Sequence, residues 1–150
     1  KKQKQSDRLK SLINKEKISL IDNSLKTYDN FVSNVVSSKK DLINKVLELK
    51  AQNKKIIAKS CPARAVVLLN YCGLNNTHLD YIAEQPTSLK LNYFVPGTGL
   101  EIISDDILKD DEPDYILLLA WHLSEPIINK WKKRGLKSKF IVPLPKVKII

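Results

Sequence analysis

Residues 55–73, KIIAKSCPARAVVLLNYCG, form the stretch of sequence that decides the fold. An apolar run typical of a buried strand is followed by a short loop and then by an apolar segment of helical length that ends at Gly73. Doubly wound α/β domains bind phosphate on such a unit, and the binding normally requires glycine in the loop. The loop here, residues 60–65, has the sequence SCPARA and contains no glycine. The sequence therefore predicts a scaffold of the nucleotide-binding type with altered loop chemistry.

The composition limits the class of protein. With 150 residues, of which 43% are hydrophobic, the chain is long enough for one domain with a substantial core. Cys61 and Cys72 match no common zinc spacing, so we expect two buried or partly buried free thiols. No apolar run approaches the length of a membrane span, and no signal peptide is recognisable. We therefore expect a cytoplasmic protein that does not act at a membrane and, because the sequence contains no methionine, one that is part of a longer polypeptide.

The net charge of +10 is distributed unevenly along the chain. Half of the excess lies in residues 1–17, where seven basic residues stand against two acidic ones, and a second basic run occupies residues 130–139. Apart from the single Trp131, the two runs contain no aromatic residues, so they form no interleaved platform of the kind on which proteins that bind single strands stack bases. We interpret residues 1–20 as a basic tail or linker, and nucleic acid is not expected to be the main partner.

A long amphipathic helix is predicted over residues 22–53. Apolar residues recur there in alternating steps of three and four from Leu25 to Leu49, interrupted at Lys39. The apolar stripe is wider than the two-residue seam of a free coiled coil, so we expect the helix to pack on the α/β body of residues 54–150. Asn53 suits the end of the helix. The candidates for its N-cap are Asp22, Asn23 and Ser24.

Beyond residue 54, short apolar runs alternate with helical patterns, which indicates a parallel sheet with crossover helices. The predicted strands cover residues 55–59, 80–84, 100–103, 115–120 and 140–142, the last of which is expected to be the final strand. The predicted helices cover residues 63–72, 105–109 and 125–134, with Ser104 and Ser124 as N-caps and Gly73 and Gly135 as terminators. The fold class is therefore α/β, a Rossmann-like three-layer domain with a mostly parallel sheet, and residues 21–150 form it as a single domain that starts with the long helix.

The loops that follow the first, second and fourth strands are the candidate site. In a doubly wound sheet, the carboxyl ends of the parallel strands meet at one edge, and ligands bind there. The three loops comprise residues 60–64, 84–90 and 121–125, which include several charged and aromatic side chains. We expect any functional site to lie at this edge.

Four ordered segments resemble a known family. They are KIIAKSCPARAVVLLNYCGL at residues 55–74, VPGT at residues 95–98, PDYILLLAWHLSEPI at residues 113–127 and KFIVPLPKVKII at residues 139–150. Together with the long helix, they are similar to the C-terminal domain of S-adenosylmethionine-dependent sugar C-methyltransferases, enzymes that act on nucleotide-linked deoxysugars. The resemblance covers residues 20–150.

The resemblance implies a three-domain parent enzyme. A small N-terminal domain would bind zinc, and a middle domain would bind S-adenosylmethionine and carry the catalytic base. The C-terminal domain would close over the nucleotide-sugar from one side. This chain contains no glycine-rich donor loop and no cysteine cluster, so we expect it to bind neither S-adenosylmethionine nor zinc and not to transfer methyl groups alone. Its expected partners are the nucleotide-sugar, the upstream methyltransferase domain and, as a further candidate, a second copy in a homodimer.

The resemblance also indicates the substrate-binding residues, and no catalytic residue or metal ligand is predicted. Where the family has two glycines in the first loop, this chain has Ser60 and Ala65, whereas Arg64 keeps a basic position. Arg64 could contact a phosphate, or it could instead cap the sheet edge or pair with Glu84. His122 stands where the family has asparagine, which favours a polar loop contact over acid-base catalysis. The predicted set is Ser60, Arg64, Glu84, Lys90, Trp121 (interpreted as an apolar plug rather than a stacking platform) and His122.

Two functions follow from these observations. The first is a substrate-side and scaffolding domain of a sugar C-methyltransferase. The alternative is a Rossmann-like interaction module that has lost its ligand and supports a neighbouring domain or a dimer, because the loop glycines are absent. Binding of a nucleotide-linked sugar at the carboxyl edge would distinguish them.

Overall fold

The computed structural model describes residues 5–18 and 24–150. The chain divides into two compact units, Lys1–Ser37 and Ser38–Ile150. Helix α1 (Asp7–Glu16) belongs to the first unit, and the Ser6 hydroxyl accepts a hydrogen bond from the Leu9 N–H at its start. No residue of α1 is buried, so the segment that we interpreted as a basic tail or linker contains an exposed helix.

The long helix is present as α2 (Ser24–Ala51). Two of its candidate N-caps, Asp22 and Asn23, lie outside the described residues. Its end is formed as predicted, because Asn53 adopts a left-handed conformation at φ 55°. The Asn53 and Lys54 N–H groups then donate to the carbonyl oxygens of the last helical turn.

A six-stranded sheet forms the centre of the second unit. The strands are β1 (Ile56–Lys59), β2 (Ile82–Glu84), β3 (Ile102–Ser104), β4 (Tyr115–Leu118), β5 (Lys139–Val142) and β6 (Lys148–Ile149). Their order is β3-β2-β1-β4-β5-β6, and all neighbours are parallel except β5 and β6. Helices α3 (Ala63–Cys72) and α4 (Ser124–Lys133) connect strands. The prediction of a mostly parallel α/β fold behind a long helix is confirmed.

Strand β6 was missed, so the prediction that residues 140–142 form the last strand is wrong. Pro143 and Pro145 do end β5, but the chain then turns back and β6 pairs antiparallel with it, through Ile141 with Ile149 and Val142 with Lys148. Proline stops one strand but does not prevent a following segment from pairing with the sheet edge.

The capping predictions had mixed outcomes. A 3-10 helix, Asp105–Lys109, follows β3, and the Ser104 hydroxyl accepts from the Asp106 N–H at 3.2 Å, as predicted. Ser124 is not an N-cap, because a second 3-10 helix, Trp121–Leu123, leads directly into α4 and the Ser124 N–H donates to the Trp121 carbonyl oxygen. Gly135 ends α4 with φ 89°, a conformation that side chains disfavour.

Buried side chains cover both faces of the sheet. On one face, Leu42 and Val46 of α2 and Leu69 of α3 pack with side chains of β1, such as Ile56. On the other face, Trp131 of α4 packs with the second set of strand side chains. The second unit therefore has three layers, as predicted. From β1 the chain proceeds to β2 and β3 on one side, and β4 then lies on the other side, which places a topological switch point between β1 and β4.

Candidate functional site

The loop after β1 keeps the conformation of a glycine-containing loop although it has no glycine. Ser60 adopts φ 68°, in the left-handed region that glycine enters without strain. Its N–H donates to the Ala83 carbonyl oxygen at 2.9 Å. Pro62 has no N–H at all. Few backbone donors are therefore left in this loop to bind a phosphate, and the start of α3 and the surrounding side chains are the available contacts.

Glu84 and Lys90 hold the same loop in place. The Cys61 N–H donates to Glu84 Oε2 at 2.8 Å, and the Gln85 N–H donates to Glu84 Oε1 at 2.9 Å. Lys90 Nζ donates to the Cys61 carbonyl oxygen at 2.6 Å. Both carboxylate oxygens of Glu84 thus bind the backbone of the site. This observation assigns Glu84 a role in loop positioning in addition to the charge that it brings to the edge.

Arg64 lies over an aromatic ring. Its guanidinium is 5.7 Å from the centroid of Trp121, a distance at which a cation and a ring attract each other. Trp121 in turn meets the ring of His122 edge-on, with centroids 6.3 Å apart. The predicted alternative, an ion pair between Arg64 and Glu84, is not among the contacts of the described residues, where Glu84 accepts backbone N–H groups instead. Arg64 is exposed, and its guanidinium lies over the Trp121 ring.

A cavity of about 370 Å³ opens at the carboxyl edge beside the switch point. It is lined by four of the six predicted residues, Ser60, Glu84, Lys90 and His122. Arg64 and Trp121 do not line it. The further polar and aromatic residues around it are Lys59, Gln85, Asp105, Lys130 and Trp131. Its volume lies in the range of small-molecule sites, toward the lower end.

Two charged residues of this cavity, Lys59 and Asp105, were not in the predicted set. Lys59 Nζ lies 2.8 Å from Asp105 Oδ2, and the two side chains are only 6% and 5% exposed. Lys59 Nζ also donates to the Ala83 carbonyl oxygen at 3.2 Å and lies 5.7 Å from the centroid of the Trp131 ring. The sequence did contain a signal. Lys59 ends a buried strand and lies on the same face of it as Ile57, so its charge required a buried partner of opposite sign.

Ion pairs also occupy the opposite, amino edge of the sheet. Asp114 accepts a hydrogen bond from the Lys55 N–H at 2.8 Å, and this bond, together with Lys54, lowers the pKa of Asp114. Lys55 pairs with Asp111 and lowers the pKa of that carboxyl group as well. Burial, followed by the nearby Asp111 charge, raises the pKa of Tyr81. These pairs tie β1 to the segment before β4 and lie away from the edge where parallel sheets bind ligands.

Two larger clefts are present, of about 510 and 480 Å³. The first lies between the 3-10 helix Asp105–Lys109 and α4, and the second lies at the amino edge near Asp114. None of the predicted substrate-binding residues lines either cleft. Charged side chains line all three cavities, so position at the switch point, rather than volume or charge, identifies the 370 Å³ cavity as the candidate site.

The described residues offer no metal centre, and their two thiols are buried. No group of three or more His, Cys, Asp or Glu side chains in residues 5–18 and 24–150 is placed to hold a metal ion. Cys61 and Cys72 are free and buried, as predicted, and burial raises the pKa of both thiols. Across the same residues, no helix is long and apolar enough to cross a membrane.

Comparison with known proteins agrees with this architecture. Residues 1–145 match the family model of the C-methyltransferase C-terminal domain. The chain is also 32% identical over 102 residues to the C-methyltransferase NovU of Streptomyces niveus, a match that covers 67% of this chain and 24% of that relative. The matched part thus spans less than a quarter of the relative's length. The family model covers nearly the whole chain, and this protein belongs to the C-methyltransferase C-terminal domain family.

Proposed function

We propose that this chain is the substrate-side and scaffolding domain of a C-methyltransferase that acts on a nucleotide-linked deoxysugar. The observation that carries the proposal is the cavity at the switch point, where three lysines and two carboxylates converge and leave a net positive charge. Arg64, two residues after the lining residue Pro62, adds a further cation above Trp121. A diphosphate-linked sugar combines negative charge with ring hydroxyls, and this is the chemistry that such a lining suits.

In this proposal, methyl transfer takes place elsewhere in the parent enzyme. His122 is exposed, and the described neighbours supply no carboxylate that orients its ring as a general base requires. The loop of Ser60 lacks the glycines that let a donor nucleotide approach the backbone. We therefore assign S-adenosylmethionine and zinc to an upstream part of the parent enzyme, with the upstream methyltransferase domain as the partner of this one.

Titration of the 150-residue chain with dTDP-rhamnose, followed by amide NMR shifts, tests the binding. We expect shifts in residues 59–64 and 120–123. Arg64→Ala and Lys130→Gln each remove one charged contact and should weaken binding about tenfold. Lys137→Gln, at the amino edge, is the matched control and should leave binding unchanged. Absence of shifts at millimolar ligand would contradict the proposal, as would a methylated sugar formed by this chain alone with S-adenosylmethionine.

The alternative, an interaction module, is favoured by one separate observation. The first half of α2, within the unit Lys1–Ser37, leaves large apolar side chains in solvent. They are Leu25, Tyr28, Phe31, Val32 and Val36. Contiguous exposed apolar surface of this kind marks protein contacts, and a second copy or the upstream domain could cover it. Sedimentation of the chain and of a Phe31→Glu variant tests this function, since a dimer that the substitution dissociates would support it and a monomer in both cases would exclude the homodimer.

A further inference from the structure

The Lys59–Asp105 pair forms a buried polar floor in the carboxyl-edge cavity. Both residues line the cavity, and their side chains are more than nine-tenths buried. Lys59 ends the central strand β1, and Asp105 begins the 3-10 helix that follows β3. The pair is therefore held by two rigid elements rather than by a flexible loop.

Stability alone does not account for this pair. The desolvation of two charges offsets much of their attraction, and apolar residues of similar shape in such positions are often as stable or more stable. The neighbouring positions of β1 are fully apolar, with Ile57 and Ala58 both buried. A buried ion pair at the cavity end of an otherwise apolar strand thus calls for a further role, and the cavity supplies one.

The pair retains hydrogen-bonding capacity toward the cavity. An ammonium group has three N–H donors. Among the described residues, Asp105 Oδ2 at 2.8 Å and the Ala83 carbonyl oxygen at 3.2 Å occupy two of them. A carboxylate accepts up to about four hydrogen bonds, so Asp105 keeps acceptor capacity beyond its contact with Lys59. A ligand in the cavity therefore meets a donor and an acceptor side by side, with no net charge.

This combination selects one kind of ligand group. A phosphate would be attracted by Lys59 but repelled at similar distance by Asp105, and an apolar group would leave both unpaired. A hydroxyl group can accept from the ammonium and donate to the carboxylate at the same time. The phosphates are better placed at the exposed rim, where Lys130 lies.

We propose that Lys59 and Asp105 bind a ring hydroxyl of the nucleotide-linked sugar, so that a sugar ring faces the floor of the cavity and the diphosphate lies at its rim. This inference rests on the proposed function and adds the orientation of the ligand. The hydroxyl belongs either to the nucleoside or to the linked hexose, because both present the same chemistry to the pair.

The test uses the double variant Lys59→Met/Asp105→Leu, which removes the pair without changing the net charge. Met can pack on Trp131, and Leu has the branched shape of Asp. Inorganic pyrophosphate, dTDP and dTDP-rhamnose are titrated separately into the unmodified chain and into the variant. We expect the variant to bind pyrophosphate with unchanged affinity. It should bind dTDP-rhamnose, or both dTDP and dTDP-rhamnose, about tenfold more weakly, because charge-assisted hydrogen bonds to the hydroxyl are lost. A loss for dTDP places the hydroxyl on the nucleoside, and a loss for dTDP-rhamnose alone places it on the hexose.

Other results would overturn the inference. If pyrophosphate binding falls with the rest, Lys59 binds phosphate; if no affinity falls, the pair does not contact the ligand. Failure of all three ligands to bind the unmodified chain would overturn the proposed function and this inference together. A comparison that needs no variant uses the unmodified chain with dTDP, its 3′-deoxy analogue and dTDP-rhamnose. Either dTDP must bind about tenfold more tightly than its 3′-deoxy analogue, or dTDP-rhamnose must bind about tenfold more tightly than dTDP. The proposal is wrong if neither difference is found.

Discussion

Substitution of one partner of the Lys59–Asp105 pair should strongly destabilise the second unit, Ser38–Ile150. Asp105→Asn removes the charge that faces Lys59 and keeps the shape of the side chain. Because Lys59 is 6% exposed, its ammonium cannot simply return to water. Removal of one partner from a buried pair typically costs about 3–5 kcal/mol. The double variant Lys59→Met/Asp105→Leu should recover most of this loss, because it leaves no unpaired charge.

Urea denaturation followed by tryptophan fluorescence measures the effect. Trp131 is a suitable probe, since its ring lies 5.7 Å from Lys59 Nζ. With a denaturant slope of about 2 kcal/mol/M, a loss of about 4 kcal/mol lowers the urea midpoint by roughly 2 M. Asp106→Asn is the matched control, because Asp106 is the next residue and pairs with Lys109 at the surface, where the side chains are 57% and 70% exposed. The control should move the midpoint far less.

Two results would refute this reasoning. If Asp105→Asn and Asp106→Asn shift the midpoint equally, the buried pair is solvated in the protein and its burial does not matter. If the double variant is as unstable as Asp105→Asn, the loss comes from altered packing around Trp131 rather than from an unpaired charge. Amide NMR spectra of all three variants must show that the fold is retained before the free energies are compared.

The remaining predictions concern the loop, the amino edge and the thiols. Ser60→Gly should leave the melting temperature unchanged or raise it, because relief of left-handed strain offsets the greater chain entropy of glycine, whereas the β-branched Ser60→Val should lower it. Asp114 has a lowered pKa in the folded state, so its contribution to stability is present above the unfolded pKa of about 4 and is lost as the pH falls through the folded value. Asp114→Asn should therefore flatten the acid side of a stability profile measured by urea denaturation, and an unchanged slope would contradict this. Cys61 and Cys72 should react with a thiol reagent much more slowly in the native protein than in urea, and rapid native labelling would show that the helix α3 region opens readily.

In the loop after β1, the local sequence and the tertiary contacts together determine the backbone conformation. The absence of glycine suggested that the phosphate-binding geometry was lost, but Ser60 adopts the left-handed conformation that glycine would take. The surrounding contacts impose this geometry, because Glu84 and Lys90 both bind the backbone at Cys61. Tertiary contacts thus hold Ser60 in a backbone conformation that its own side chain does not favour.

The sequence by itself determined most of the elements and their order, although α1, β6 and the 3-10 helix Trp121–Leu123 were not predicted. The period of apolar residues predicted α2, the apolar run at residues 115–120 predicted the central strand β4, and glycines marked the ends of α3 and α4. These signals depend on neighbouring residues, which is why they could be interpreted without the fold. They also predicted a candidate site at the carboxyl edge, since parallel strands fix which loops meet there.

Only the tertiary structure decided which side chains face each other. Lys59 and Asp105 are 46 positions apart, and nothing local indicates that a lysine at the end of β1 meets an aspartate after β3. The pairing of β6 with β5 and the contact of Arg64 with Trp121 could not be predicted either, because no local signal indicates which segments meet. Burial, not proximity in sequence, makes these contacts necessary, because a charge removed from water requires a partner wherever the fold supplies one.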